Sequence, residues 1–292
     1  MSRNAPRQCE GDPGAAVAPS PCAAHVPAVE QVVATMRERL GETLTLQDMA
    51  DVAHLSPYYF TRVFHDATGI PPAEYLAALR VQEAKRLLLT TEASVTDVCF
   101  EVGYAGLGTF TARFARLVGL PPGRLRRQAE DVDGIVAGAQ PFGGATEPAV
   151  ATGDGATGDG ATGGGVSGIV SAPDAMPDDA PGLIFIGLFP TPIPQSTPVG
   201  SALLDGPGAY HIPCVPDGRY YAMAAAFPSA ARGQAYLLPG DGVRVGQARA
   251  AVTVRGGRAR ERANIVVRPP RPTAPPLLTA LPFLLLDHQR PK

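Results

Sequence analysis

The chain has 292 residues, 45% of them hydrophobic, which is enough for two domains of ordinary size. The formal net charge of −2 gives no global signal for a polyanionic partner such as nucleic acid. Four scattered cysteines (Cys9, Cys22, Cys99 and Cys214) lack paired spacing, which argues against a disulfide framework or zinc site and suits a reducing cytoplasm.

Membrane and catalytic signals are also missing from the sequence. The N-terminus lacks the apolar core of a signal peptide, and no apolar run reaches the roughly 18 residues of a membrane span. The five histidines have neither metal-ligand spacing nor a Ser or Cys partner in a recognisable catalytic motif. We therefore expect a soluble, cytoplasmic protein that is not an enzyme and uses no metal or cofactor.

The first region with regular periodicity follows an Ala/Pro/Gly-rich segment, residues 1–26, which the composition predicts to be a disordered tail. Residues 27–128 then show helical patterning. An apolar stripe predicts an additional helix before the main motif, formed by Val29, Val32, Val33, Met36 and Leu40.

A repeated sequence dominates this helical region. FTRVFHDATGIPP (60–72) returns as FTARFARLVGLPP (110–122), and upstream TLQDMADVAHLS (45–56) aligns with SVTDVCFEVGYA (94–105). Each copy opens with a hydroxyl residue followed three positions later by Asp, a variant of the capping box. The apolar spacing then predicts a short helix, a tight turn at His54–Leu55 or Gly103–Tyr104, and a second helix.

The apolar faces of these helices are predicted from spacing alone. The second helices carry paired phenylalanines at i and i+4, and they end at Gly69 and Gly119 before proline pairs. Cys99 matches Ala50, so we expect it to be a packing residue. The first helices are predicted to bury Leu46, Met49, Ala50 and Ala53 in one copy and Val95, Val98, Cys99 and Val102 in the other.

One uninterrupted helix is predicted between the copies, over residues 73–89, with Leu76, Leu79, Ala84, Leu87 and Leu88 as its apolar stripe. It gives a rigid spacer of about 25 Å. Two helix-turn-helix units on such a spacer are able to reach major-groove segments one turn apart, roughly 34 Å along a duplex.

This region resembles the AraC/XylS-type DNA-binding domain over its entire length. The matching features are Leu-Ser-Pro before the second helix, the Phe-x-x-x-Phe pairs, the Ala-Lys-Arg-Leu-Leu run from residue 84, Val-Gly-Tyr at 102–104 and Gly-Leu-Pro-Pro at the close. The resemblance implies a seven-helix, two-lobed domain of a transcriptional regulator that binds double-stranded DNA. RNA polymerase and a second copy of the chain are further partners that such a regulator implies.

The resemblance also implies which side chains read DNA. In the first unit it points to Tyr58, Thr61 and Arg62, with Arg62 placed for a bidentate contact to a guanine edge. The second unit departs from the family pattern, because Leu107, Gly108 and Ala112 offer no hydrogen bond to a base. There we expect Leu107 to pack on a thymine methyl at most, and Thr109, Arg113 and Arg116 to contact the DNA backbone.

Beyond the helical region the composition changes abruptly. Residues 129–167 include GATEPAVATGDGATGDGATGGG and are predicted to be a flexible linker, with protease cutting between about 133 and 181 to release two stable fragments. Short β-type runs at 166–170, 183–189, 208–215, 218–227, 250–254 and 263–268 alternate with turn residues, which predicts an all-β, sandwich-like domain over residues 168–287. The stretch 205–225 resembles the carboxypeptidase-regulatory, transthyretin-like β-sandwich family. RPPRPTAPP (268–276) is interpreted as a rigid surface strap.

The predicted function is sequence-specific transcriptional regulation, with the β-domain serving oligomerisation or signal sensing. Two alternatives remain. The loss of polar residues in the second unit is also compatible with an interaction scaffold whose DNA binding has degenerated. A DNA alkyl-transfer repair enzyme with an AraC-type domain needs a cluster of zinc-binding thiols, and Cys9 and Cys22 alone do not supply four ligands.

Overall fold

The computed structural model describes residues 25–132, 134, 164–173, 181–231, 233–240 and 242–281. Nearly all of the predicted tail, most of the predicted linker, both N-terminal cysteines and the end of the apolar run after Leu277 lie outside these ranges. Within them, no helix has the length and apolarity needed to cross a membrane.

Seven α-helices fill the described residues up to 132, as the resemblance implied. They are α1 (Val26–Glu38), α2 (Leu46–Val52), α3 (Pro57–Thr68), α4 (Pro72–Thr90), α5 (Val95–Glu101), α6 (Leu107–Val118) and α7 (Pro122–Gln128), followed by a 3-10 turn at Ala129–Asp131. The helix-turn-helix pairs are α2–α3 and α5–α6. Each pair combines a 7-residue helix with a 12-residue helix.

Both predicted capping boxes are confirmed. Thr45 Oγ1 accepts from the Asp48 amide while the Asp48 carboxylate accepts from the Thr45 amide, and Ser94 and Asp97 repeat the arrangement. These bonds satisfy amides that a helix start otherwise leaves without partners. The amide and hydroxyl of Thr45 hold the pKa of the Asp48 carboxyl below its ordinary value.

The two turns are also built alike. Leu55 N donates to Ala50 O and Tyr104 N donates to Cys99 O, both at 3.0 Å, which closes each short helix with a Schellman motif. The motif requires one residue in the left-handed region, and this residue is His54 (φ 55°) in the first turn and Gly103 (φ 83°) in the second.

The helical core matches the predicted apolar faces with one exception. The four paired phenylalanines, Cys99 and the stripe of α4 are buried. Leu46 was expected on the buried face but is 44% exposed, so that prediction is wrong. It is the first residue of α2, where the chain has not yet turned toward the core, and Leu44 packs against the core instead.

Two arginines connect helices through hydrogen bonds to backbone carbonyl groups. Arg80 on α4 donates to Leu40 O (2.9 Å) and Glu42 O (2.6 Å) in the segment after α1. Arg126 on α7 donates to Leu88 O (2.9 Å) and Ala93 O (2.7 Å) around the end of α4. Each guanidinium thereby satisfies carbonyls just before one helix-turn-helix pair.

In the described residues after the helices there are nine strands. They are β1 (Gly165–Ser171), β2 (Pro181–Phe189), β3 (Gly200–Leu204), β4 (Gly208–Pro213), β5 (Gly218–Pro228), β6 (Arg244–Gln247), β7 (Val252–Arg255), β8 (Arg258–Ala259) and β9 (Ile265–Val266). The predicted β-rich region is therefore confirmed. Three strands were not predicted: β3, β6 and β8.

The strands are hydrogen-bonded in the order β3-β2-β5-β7-β8-β1-β4, with β6 added to β5 and β9 added to β1. Most neighbours are antiparallel, while β1 is parallel to both β8 and β9. Along β5, residues 218–220 pair with β7 and residues 223–226 pair with β6. The long strand β5 thus joins the part of the sheet that contains β7 to the part that contains β6.

The central strands β2 and β5 are buried on both faces. Ile184, Ile186 and Leu188 pack into a core formed by the strands alone, whereas Phe185 packs into the cluster that contains the helical core. Double burial explains why β2 is an almost continuous apolar run, LIFIGLF, instead of an alternating one. The helical and β regions therefore meet through a shared core.

Two segments of the β region contribute backbone hydrogen-bond partners to this contact. Residues 190–198, here called the brace loop, follow β2, and residues 268–281, here called the C-terminal strap, follow β9. In the strap, Ala274 O accepts from Tyr75 Oη at 2.9 Å and Leu278 O accepts from Lys85 Nζ at 3.1 Å. In the predicted surface strap, residues 268–272 are exposed, whereas Thr273 and Pro276 are buried.

Candidate nucleic-acid interface

The exposed side of α3 carries the residues predicted to read bases. Phe60, Val63 and Phe64 face the core, so the opposite side of the helix is turned to solvent. Tyr58 is 86% exposed there and Arg62 is exposed, while Thr61 is half-buried and donates its hydroxyl to Pro57 O at 2.8 Å. The three predicted residues line one groove.

The same groove contains residues that the sequence did not single out as readers. Leu46 of α2 lies at its edge, and His65 and Asp66 continue it one turn further along α3. The sequence did not predict the exposure of Leu46, because helical spacing alone does not distinguish the first residue of a helix from the later ones. The groove therefore combines an aromatic ring, an aliphatic side chain and a cation.

The second helix of the other unit presents a less polar surface. Leu107 at its start is 41% exposed, and Thr109 and Arg116 are exposed. Arg113 is placed differently: it is half-buried and lines a cavity of about 220 Å³ between the two units, beside Arg80 and Tyr104. Its Nε is buried without a hydrogen-bond partner among the described residues. This placement weakens the prediction that Arg113 contacts phosphate.

Positive charge is concentrated at the end of the helical region. Residues 107–128 contain Arg113, Arg116, Arg124, Arg126 and Arg127 and no Asp or Glu. Arg116, Arg124 and Arg127 are exposed, so α6 and α7 carry a local basic surface despite the chain's formal charge of −2. A local surface of this kind attracts polyanions independently of net charge.

The starts of α3 and α6 share a further property. Neither Ser56 nor Gly106, their N-cap residues, caps its helix with a side-chain hydrogen bond. The amides of the first turn, which start at Leu107 in α6 and only after Pro57 in α3, therefore have no side-chain cap and are able to bond an anion, which the positive end of the helix dipole also favours.

Comparison with known proteins places this region in a family. Residues 49–128 match the model of a helix-turn-helix domain. The HTH-type transcriptional regulator YobQ of Bacillus subtilis is 36% identical over 90 residues, which are 31% of this chain and 37% of that protein. Residues 49–128 are an AraC-type helix-turn-helix domain.

Other relatives match stretches of similar length. The bifunctional transcriptional activator/DNA repair enzyme AdaA of Bacillus subtilis is 32% identical over 102 residues, covering 35% of this chain and 48% of AdaA. The DNA-binding domain of AdpA, a global transcriptional factor solved in complex with a target DNA, is 31% identical and covers 35% of this chain and 95% of that chain, with a TM-score of 0.34.

The extent of these matches is limited. The chain spans between about a third and a half of the length of these curated relatives. The family model covers residues 49–128, and so it leaves α1 and residues 164–281 unmatched.

Proposed function

We propose that this protein is a sequence-specific DNA-binding transcriptional regulator of the AraC/XylS type. The observation that carries the proposal is the duplicated helix-turn-helix. Two units with the same capping box, the same turn and the same buried phenylalanine pair each expose the outer face of a 12-residue helix. Such a helix fits the major groove, and α4, whose 19 residues span about 28 Å, separates the two units.

In this proposal the two helix-turn-helix units make different contacts with DNA. Arg62 reads a guanine in the first groove segment, with Tyr58 and Thr61 beside it. The second unit supplies mainly backbone contacts through Thr109, Arg116 and the free amides at the start of α6, since Leu107 offers no hydrogen bond to a base.

The remaining parts of the proposal concern the whole protein. The β region serves oligomerisation or signal sensing, and it makes the protein a homodimer in the first case. RNA polymerase is the partner through which a bound regulator acts on transcription, in the cytoplasm. Relatives named as an HTH-type transcriptional regulator and an HTH-type transcriptional activator support this assignment.

The test is selection of DNA from a random pool by the full chain, followed by binding of the selected site and of scrambled DNA. Arg62→Ala is expected to weaken binding to the selected site by about 5- to 100-fold while changing scrambled DNA little, because a bidentate base contact contributes roughly 1–3 kcal/mol of discrimination. Arg116→Ala is expected to weaken both equally and to lower the salt slope by about one.

The matched control is Arg86→Ala, which removes an arginine that pairs with Glu83 on α4. It should leave both affinities unchanged. Unchanged discrimination in Arg62→Ala would remove Arg62 as a reader, and failure to select any sequence would leave the scaffold alternative in its place.

The relation to AdaA keeps the repair-enzyme alternative testable. That relation covers the helical region, which any AraC-type domain shares, and Cys9 and Cys22 lie outside the described residues. Metal analysis of the purified chain decides it: bound zinc in stoichiometric amount supports the alternative, and its absence contradicts it.

A further inference from the structure

A cavity of about 480 Å³ lies where the β region meets the helices. One wall is formed by residues of β2 and β5, including Phe185 and Ala225, and another wall is formed by the C-terminal strap. Ala67 and Thr68, at the end of α3, complete the enclosure together with the brace loop. The volume falls within the range of about 300–1,000 Å³ that is typical of small-molecule sites.

The lining is apolar with a few polar groups at one side. Met223, Val245 and Leu281 contribute apolar surface, while Arg268 and Arg271 contribute positive charge. Among the described residues that line the cavity there is no Asp or Glu. The backbone of Arg268 is held by two hydrogen bonds with the backbone of Val245, at 2.9 and 3.0 Å, and the side chains of Arg268 and Arg271 lie at the exposed side of the cavity. Guanidinium groups beside an apolar chamber match an apolar molecule with one carboxylate.

We propose that this cavity binds a small apolar monocarboxylate, with Arg268 and Arg271 at its carboxylate and the sheet face at its hydrocarbon part, and that binding changes the affinity for DNA. The second half of this statement depends on the proposed DNA-binding function.

The coupling has a physical path through the brace loop. Ser196 N donates to Leu117 O at the end of α6, and a Cβ added at Gly119 would lie 3.5 Å from Thr197 Oγ1. At the other end of the loop, a Cβ added at Gly69, which closes α3, would lie 4.0 Å from Pro192 Cβ. One loop thus touches the ends of both DNA-facing helices.

The cavity lies directly behind this loop. Pro192 and Pro194 line it, and Pro194 O accepts from the amides of Leu278 and Thr279 in the strap at 3.1 and 3.2 Å. A ligand that displaces the strap or the loop therefore changes the relative placement of α3 and α6. Two groove-binding helices are sensitive to such a change because both must fit one duplex.

Binding is tested by titration calorimetry of the full chain without DNA, using octanoate and the matched neutral 1-octanol. Octanoate is expected to bind with a dissociation constant of about 0.1 mM or tighter. Arg268→Gln should weaken octanoate about tenfold and leave 1-octanol within about twofold, since a charge-assisted hydrogen bond is lost. Arg255→Gln, on β7 and outside the lining, is the control. Ala274→Trp, which adds an indole ring at a half-buried position of the lining, should abolish binding while circular dichroism confirms the fold.

The chain's own C-terminus is the competing occupant, because Leu281 lines the cavity and an apolar segment, PFLLL, follows it in sequence. A chain truncated after Leu281 should bind octanoate no better than the full chain. Binding that occurs only in the truncated chain would overturn the proposal, as would equal binding by wild type and Ala274→Trp.

Coupling is tested separately by measuring affinity for the selected DNA with and without saturating octanoate. A change of about fivefold is expected, and by linkage the same DNA should change octanoate affinity by the same factor. If octanoate binds and the affinity for DNA does not change, the coupling is overturned. If octanoate does not bind, the site is overturned. If octanoate binds to a chain that binds no DNA, only the proposed function is refuted.

Discussion

At the scale of single residues, Lys85 is the most unusual group in the described structure. Only two of the chain's 25 basic residues are lysines, and this one is 1% exposed. Its Nζ donates to Leu278 O at 3.1 Å and lies 3.4 Å from Leu277 O, with no carboxylate among its hydrogen-bond partners. Burial lowers the pKa of the Lys85 ammonium from 10.5 to about 7.

The lowered pKa predicts a specific pH dependence of stability. Between about pH 7 and 10.5 the unfolded chain holds a proton on Lys85 that the folded chain has released, so the free energy of unfolding increases with pH in this window. Lys85→Met removes this dependence. The variant is expected to be more stable than wild type at pH 6, with the difference narrowing by up to roughly 1.4 kcal/mol per pH unit between pH 7.5 and 9.5.

Urea unfolding of both chains at several pH values measures this effect. Lys292→Met, which removes the other lysine, is the control and should follow wild type throughout. A stability difference between wild type and Lys85→Met that stays constant with pH would contradict the assignment.

At the scale of elements, the two turns offer a comparison within one chain. His54 and Gly103 occupy the same left-handed position, but their surroundings differ. A Cβ at Gly103 would lie 2.8 Å from Leu40 O and 3.1 Å from a guanidinium nitrogen of Arg80. Glycine is therefore required at 103 by both conformation and space, whereas at 54 only conformation favours it.

Exchanging the residues at these positions tests that reasoning. His54→Gly is expected to stabilise the chain by about 0.5 kcal/mol, because glycine adopts the left-handed conformation without steric strain. Gly103→His is expected to destabilise it by more than about 2 kcal/mol, since the side chain also collides with backbone. Thermal or urea unfolding measures both. Equal and opposite effects would mean that the packing around Gly103 contributes nothing.

The elements that sequence predicts well are those fixed by local chemistry. The capping boxes, the left-handed glycines and the phenylalanine pairs depend on residues within five positions of one another, and all are found. The strands β3, β6 and β8 were missed because they have only five, four and two residues. Their sequences alone contain too few residues to establish alternation.

The placement of the candidate site residues could also be predicted only in part from the sequence. The exposure of Tyr58 and Arg62 follows from the side of α3 opposite its phenylalanines. The inward turn of Arg113 does not follow, because it depends on the space left between the two helix-turn-helix units. Lys85 was part of a recognised motif, but its burial requires a strap about 190 residues away along the chain.

At the scale of the whole molecule, composition and structure lead to different expectations for a cleaved chain. Composition alone treats the segment after residue 129 as a link between independent domains. The described residues instead place Tyr75, Lys85 and Leu117 of the helical region in hydrogen bonds with the strap and the brace loop, around a shared apolar core. Buried apolar area and satisfied polar groups together favour association of the two regions even without a covalent link.

The consequence is testable with a cleavage sequence for a specific protease inserted between Gly155 and Ala156. After complete cutting, we expect both fragments to elute together from a sizing column at the volume of the uncut chain. Ala280→Asp places a carboxylate at a buried position of the strap and should let the fragments separate, because a buried charge without a partner costs several kcal/mol. Separation of the wild-type fragments would show that the shared core does not persist in solution, and it would also remove the wall that the C-terminal strap provides to the ligand cavity.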